Sequence, residues 1–226
     1  FRRVLFRSDT LLPGLVDIHC HGGGGASFPD ATTSAEVTVA AREHLVHGTT
    51  SLVASLVTAA ADAGLRIVAA PGSGSDLAAV VALYGGVDLK FQLLVYPVTN
   101  AHTTTQSYFD NADGYFLTAR TMHWFFDHYV NGDHSVKADP RLSPLLASDE
   151  DLAATPPAAV ITAEYDPLRD EGEQYATRLA SLGVPTSLTR FHGQIHAFFS
   201  MSEVLDDGAA AVALAGAHLA KHLKAN

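Results

Sequence analysis

The sequence is poor in cysteine, in basic residues and in long apolar runs, and each shortage argues against a class of protein. Cys20 is the only cysteine, so no intrachain disulfide framework can form, and a reducing cytoplasm is the expected location. The 14 Lys and Arg are outnumbered by 24 Asp and Glu, and the formal net charge of -10 argues against a nucleic-acid partner. No apolar run reaches the roughly 18 residues that a membrane-spanning helix needs. There is no internal repeat and no low-complexity tail. The opening F-R-R-V-L-F-R-S has neither an initiator methionine nor a signal-peptide layout, so residues 1–9 read as a vector-like leader and are set aside from fold reasoning. At 47% hydrophobic and 17% charged, the composition is globular, with a length that suits one domain or one domain and a fragment.

The most informative stretch is 158–199. Ala158 to Tyr165 is a short apolar run containing β-branched residues, as a strand buried on both faces requires. Leu168, Tyr175, Leu179 and Leu182 then recur at helical spacing, with Gly183 and Pro185 as stop signals. Thr186 to Phe191 reads as the next strand, and Glu203 to Lys224 as an Ala/Leu-rich closing helix. Asp166 and His196 therefore fall on loops at the ends of successive strands. In an open parallel sheet, functional groups collect at the carboxyl ends, where such an acid and histidine can meet. The order nucleophile, acid, histidine is that of an α/β hydrolase, so a serine is expected upstream of Asp166. Taken singly, Asp166 could also be a helix cap and His196 a packed loop residue.

From about Leu77 to its end the chain resembles the C-terminal part of the hormone-sensitive-lipase-like esterases, an α/β-hydrolase family. The matching stretches are L-A-A-V-V-A-L at 77–83, F-Q-L-L-V-Y-P-V at 91–98, R-L-S-P-L-L-A at 141–147, D-P-L-R-D-E-G at 166–172 and G-x-x-H at 193–196. The resemblance implies an α/β fold, an open and mostly parallel sheet with helices on both faces, truncated or atypical at its N-terminus. It implies a small ester as substrate, no cofactor, and no catalytic metal. His196 would be the general base and Asp166 the group that orients it. A homodimer is left open as the assembly.

The nucleophile is less regular. Where the family carries G-D-S-A-G-G on a strained strand-to-helix turn, this chain has R-I-V-A-A-P-G-S-G-S-D-L at 66–77. Counted from the strand, Ser73 takes the nucleophile position; counted from the helix, Gly72 does, with Ser73 and Ser75 beside it. Gly72 and Gly74 permit a tight turn, whereas Pro71 removes an N–H. A plain Gly/Ser turn is the alternative. The loop lacks the lysine of a phosphate-binding P-loop.

Residues 10–60 differ in character. T-L-L-P-G-L-V-D-I-H-C-H-G-G-G-G-A-S-F at 10–28 and A-R-E-H-L-V-H-G-T-T-S-L-V-A-S-L-V-T at 41–58 resemble the start of an N-acetylglucosamine-6-phosphate deacetylase of the amidohydrolase superfamily. His19 and His21 match its H-x-H metal motif, in which strand alternation sends both imidazoles to one side. Two ligands do not complete a site, and a barrel of about 250 residues does not fit here. The expectation is a chimera: a deacetylase-like β-α-β segment over 10–60, with a helix at 34–46 and a strand at 51–57, joined between Thr58 and Leu77 to a hydrolase part over 61–226.

The H-G-G-G-G run at 21–25 follows the apolar stretch Leu15–Ile18, much as the esterases' oxyanion-hole motif follows a strand. On that resemblance the amides of Gly23, Gly24 and Gly74 would hold the oxyanion. The alternative is a loop kept from another fold. The family's Y-R-L-A-P-E segment and its cap-forming region have no counterpart in this sequence.

Residues 100–136 form the most aromatic part of the chain. By resemblance this is a helical excursion over the acyl and alcohol pockets. Met122, Phe125, Phe126 and Tyr129 also have the spacing of a helix face packed on a core. Three functions remain: a serine carboxylesterase of small acyl esters, a metal-dependent deacetylase fragment, or a hydrolase-like chimera without activity.

Overall fold

The computed structural model describes residues 15–20, 22–23, 26–27, 39, 49–54, 67–71, 74–86 and 88–223. The chain divides into two compact units, Phe1–Ser55 and Leu56–Asn226.

In the first unit, β1 (Leu15–Cys20) pairs in parallel with β4 (Thr49–Ala54). Parallel neighbours cannot be joined by a tight turn, so this pairing requires a crossover connection. The helix expected over 34–46 lies outside the described residues except for Val39, which is helical and exposed. The strand expected at 51–57 starts two residues earlier, at Thr49, and is described as far as Ala54. Part of the glycine run is itself paired: β2 (Gly22–Gly23) and β3 (Ala26–Ser27) form a short antiparallel ladder with Gly23 opposite Ala26.

The second unit is built on a four-stranded parallel sheet in the order β5 (Ile67–Pro71), β6 (Phe91–Val95), β7 (Ala158–Tyr165), β8 (Thr186–Ile195). Helix α1 (Gly74–Tyr84) connects β5 to β6. The long β6–β7 connection carries α2 (Gln106–Asp110), α3 (Ala119–Tyr129) and α4 (Asp149–Ala153). Helix α5 (Arg169–Ser181) joins β7 to β8, and α6 (Asp206–Leu223) follows β8.

Strand order equals chain order, so every crossover steps the same way. Right-handed crossovers must then place all three connections on one face. The packing agrees: Ala78 and Ala79 of α1, Leu152 of α4, and Tyr175, Ala176 and Leu179 of α5 share one cluster with Leu94 and Val160. Among the described residues α6 is the helix on the other face, where its Ala211 and Ala215, together with Phe198, meet Phe91, Leu93, Val95, Ala159, Ile161 and Ala163. Along β6 and β7 odd and even residues thus enter different cores, which explains why these strands read as unbroken apolar runs. The expected open, mostly parallel α/β sheet with helices on both faces is the architecture found.

Helix α5 stops where its sequence says it should. Gly183 adopts φ +87, its N–H donates to Ala180 C=O at 3.1 Å, and Val184 N–H donates to Leu179 C=O at 3.1 Å. That pair of bonds is a Schellman cap, which needs a left-handed residue and so favours glycine. Two boundaries differ from expectation. β8 runs to Ile195 rather than Phe191, and the closing helix starts at Asp206 rather than Glu203, because a 3-10 turn at Phe198–Met201 intervenes.

The aromatic excursion packs at the carboxyl ends of the strands, its core joining Tyr108, Leu117, Met122 and Phe126 to Val98 after β6 and Leu168 after β7. Of the face expected to pack, Met122 and Phe126 are buried, but Phe125 and Tyr129 are 48% and 62% exposed. The buried stripe is a narrow i, i+4 row, and residues 125 and 129 fall on its flank.

Candidate active site

Asp166 follows the last residue of β7 and His196 the last residue of β8, so two adjacent parallel strands deliver them to the same edge of the sheet. Asp166 is fully buried and His196 is nearly so. Nδ1 of His196 lies 2.7 Å from Oδ2 of Asp166. The other carboxylate oxygen, Oδ1, accepts the Leu168 N–H at 2.9 Å. Both oxygens of the buried acid are therefore engaged, as burial of polar atoms demands.

The Asp166 loop is held from α2. Asn111 donates through Nδ2 to the carbonyls of Asp166 at 3.2 Å and Glu164 at 3.4 Å. Ser107 donates its hydroxyl to Pro167 C=O at 2.6 Å and accepts the Asp170 N–H at 3.2 Å. Its own N–H donates to Asp170 Oδ2 at 2.8 Å. Near the end of β7, where ladder bonding gives out, buried carbonyls need such donors.

His196 is packed from below by Tyr96, whose ring centroid is 4.4 Å from the imidazole and tilted by 50°. Burial pushes the Tyr96 phenol up to about 12, outweighing the contact with Ser200, so it stays neutral beside the histidine. Two non-glycine residues with left-handed backbone flank this contact: Tyr96 at φ 39 and Ala197 at φ 73. Such strain collects where surrounding structure fixes a side chain for a task.

A second carboxyl group is buried within electrostatic reach of Asp166. Glu171 is wholly buried; its Oε1 accepts the N–H groups of Thr99 at 2.7 Å and Asn100 at 3.1 Å, and its carbonyl accepts the Thr99 hydroxyl at 2.8 Å. Burial pushes its carboxyl up to about 8 against the lowering effect of those two amides. It ties the segment after β6 to the helix that starts beside Asp166.

The remaining expected site residues belong to other elements or fall outside the described residues. β5 ends at Pro71 and α1 begins at Gly74, so only two residues separate strand from helix; Ser73 is one of them and lies outside the described residues. Gly74 is the first residue of α1. Gly23 belongs to β2 in the first unit, and Gly24 lies outside the described residues. His19 is in β1 and His21 is not described. Among the described residues no group of three His, Cys, Asp or Glu could hold a metal ion, and no helix is long and apolar enough to cross a membrane.

Sequence reasoning missed Glu164, Asn111, Ser107, Tyr96 and the role of Glu171. A polar residue inside an apolar strand, as at Glu164, was the one available signal.

Residues 39–200 match a family model described as alpha/beta hydrolase fold. That match begins inside the segment read above as deacetylase-like. The chain is 38% identical over 156 residues to the carboxylic ester hydrolase LipN of Mycobacterium tuberculosis, covering 66% of this chain and 41% of that protein. It superposes on carboxyl esterase 2 from the mycorrhizal fungus Tuber melanosporum with a TM-score of 0.66 at 30% identity, over 70% of this chain and 54% of that one. With the esterase rPPE the TM-score is 0.65 at 44% identity, over 70% of this chain and 52% of that one. The chain spans about half the length of these relatives.

Proposed function

The chain belongs to the α/β hydrolase fold family, and from that premise we propose that it is a carboxylic-ester hydrolase acting on small acyl esters through a serine nucleophile. The observation that carries the reading is the buried 2.7 Å contact between His196 Nδ1 and Asp166 Oδ2 at the ends of adjacent strands. With Nδ1 bound to the carboxylate, Nε2 is the nitrogen left to act as base. Ser73, between β5 and α1, is the proposed nucleophile. His196 takes its proton as Oγ attacks the ester carbonyl, and returns it to the leaving alcohol as the tetrahedral intermediate collapses to the acyl-enzyme. Water activated by the same imidazole then releases the acid. Asp166 holds the tautomer and stabilises the imidazolium. The amide of Gly74, the first residue of α1, is the proposed oxyanion donor.

Membership of the hormone-sensitive-lipase-like branch rests on the D-P-L-R-D-E-G and G-x-x-H stretches. The chimera, the cytoplasmic location and a homodimer are readings of the sequence. A fluorophosphonate probe tests the main proposal. An adduct on Ser73 that disappears in His196→Ala supports it. A cooperatively melting protein that takes no adduct refutes it, and turnover abolished by a chelator would move the assignment to the metal-dependent deacetylase.

A further inference from the structure

Parallel partners on β7 and β8 run from Ala158↔Thr186 to Ala163↔Phe191 at a constant separation of 28 residues (191 − 163). The next pair is Tyr165↔Ile195, a separation of 30 (195 − 165), so β8 carries two extra residues opposite Glu164. Asp166 and His196 are also 30 residues apart, and therefore stand on the shifted register. At the unshifted separation Gln194 would be the residue beside Asp166. The bulge is what brings the histidine there instead, in keeping with the habit of bulges to re-aim side chains next to sites.

The bulge has a single glycine at its centre and a side-chain anchor. Gly193 adopts φ +76, with open space where a Cβ would be. Its N–H turns out of the ladder and donates to Oε2 of Glu164 at 2.6 Å. The same oxygen lies 3.6 Å from Nδ1 of His192. The Gly193 N–H is the main influence holding the Glu164 carboxyl below the usual range, with the nearby His192 and Arg190 side chains acting in the same direction.

We propose that Glu164 is a positioning residue for His196: its carboxylate accepts the bulged Gly193 N–H, fixes the two-residue bulge, and so sets the imidazole against Asp166. The inference rests on the reading of His196 as general base. It needs the acceptor at position 164 rather than the charge, because an amide oxygen can take the same N–H.

The test uses the full chain with Glu164→Ala, Glu164→Gln and Gly193→Ala. It reads kcat and KM on a short-chain p-nitrophenyl ester, thermal melting, and the low-field proton resonance of the His196 Nδ1–H. Glu164→Ala is expected to lower kcat by about ten- to a hundredfold with KM little changed, since a shift of about 1 Å in a catalytic group costs on that order. The low-field resonance should move or vanish in the same variant. Glu164→Gln should restore both. Gly193→Ala, strained by its backbone and touching no neighbour, should reproduce the loss. Parental kcat and resonance in Glu164→Ala overturn the proposal, as does a Glu164→Gln as impaired as the alanine variant. If Glu164→Ala does not fold, a normal Gly193→Ala overturns it. Failure of the esterase reading is seen separately: the parent takes no fluorophosphonate, while the resonance still reports on the bulge.

Discussion

Asp166 divides its carboxylate between two partners: Oδ2 meets Nδ1 of His196 at 2.7 Å, and Oδ1 takes the Leu168 N–H at 2.9 Å. The second bond fixes which oxygen faces the imidazole, so the acid cannot rotate away without leaving a buried N–H unpaired.

Asp166→Asn keeps the shape of this arrangement and changes its polarity, because an amide that satisfies Leu168 with its oxygen presents NH₂ to Nδ1. The imidazole then takes the tautomer that leaves no free base at Nε2. Ester turnover is expected to fall by about 10⁴-fold with the fold intact. Steady-state kinetics beside a thermal melt checks this; activity within tenfold of the parent would mean that Asp166 is not the orienting acid.

Glu171 makes stability depend on pH. Its folded carboxyl is raised from 4.5 to about 8, mainly by burial, so the folded chain holds a proton that the unfolded chain releases. The folded state then binds more protons than the unfolded state between these values, and stability falls as pH rises from about 4.5 to about 8. Glu171→Gln keeps an oxygen for the Thr99 and Asn100 amides and cannot ionise. Its melting temperature is expected to change less over this window than that of the parent. Parallel melting curves at several pH values decide the matter, and identical slopes would sink it.

Ser107 is a strut between α2 and the acid loop. Its hydroxyl donates to Pro167 C=O and accepts from Asp170 N–H. Ser107→Ala leaves a buried carbonyl unpaired, which costs about 1–3 kcal/mol. Urea unfolding should register that loss, together with a drop in kcat if the loop relaxes.

How much of this was legible depended on whether the information was local. Ala158–Tyr165 reads as a buried strand because both faces of β7 are covered, and Asp166 and His196 stand out because each follows a strand end. Glu171 and its amide partners are about 70 residues apart in sequence, so no pattern joins them before the fold does. The bulge on β8 was hidden for a related reason: a register shift exists only between two strands, and neither Gly193 nor Glu164 shows it alone. Periodicity also overreached on α3, where helical spacing suggested four packed residues and two of them face outward.

That last difference gives a direct comparison between neighbours. Phe126 is 5% exposed and packs in the cluster of Val98, Tyr108, Met122 and Leu168, whereas Phe125 is 48% exposed and touches Trp124 at a ring separation of 5.4 Å. Removing a buried phenylalanine loses its transfer free energy and leaves a cavity, so Phe126→Ala should cost about 3–5 kcal/mol. Phe125→Ala loses little burial and should stay within about 0.5 kcal/mol of the parent. Because the Phe126 cluster includes Leu168, whose N–H binds Asp166, the first variant should also lower ester turnover while the second leaves the chemical step alone. Chemical denaturation and kinetics on the two proteins test both halves, and equal destabilisation would show that the aromatic face of α3 is covered in solution.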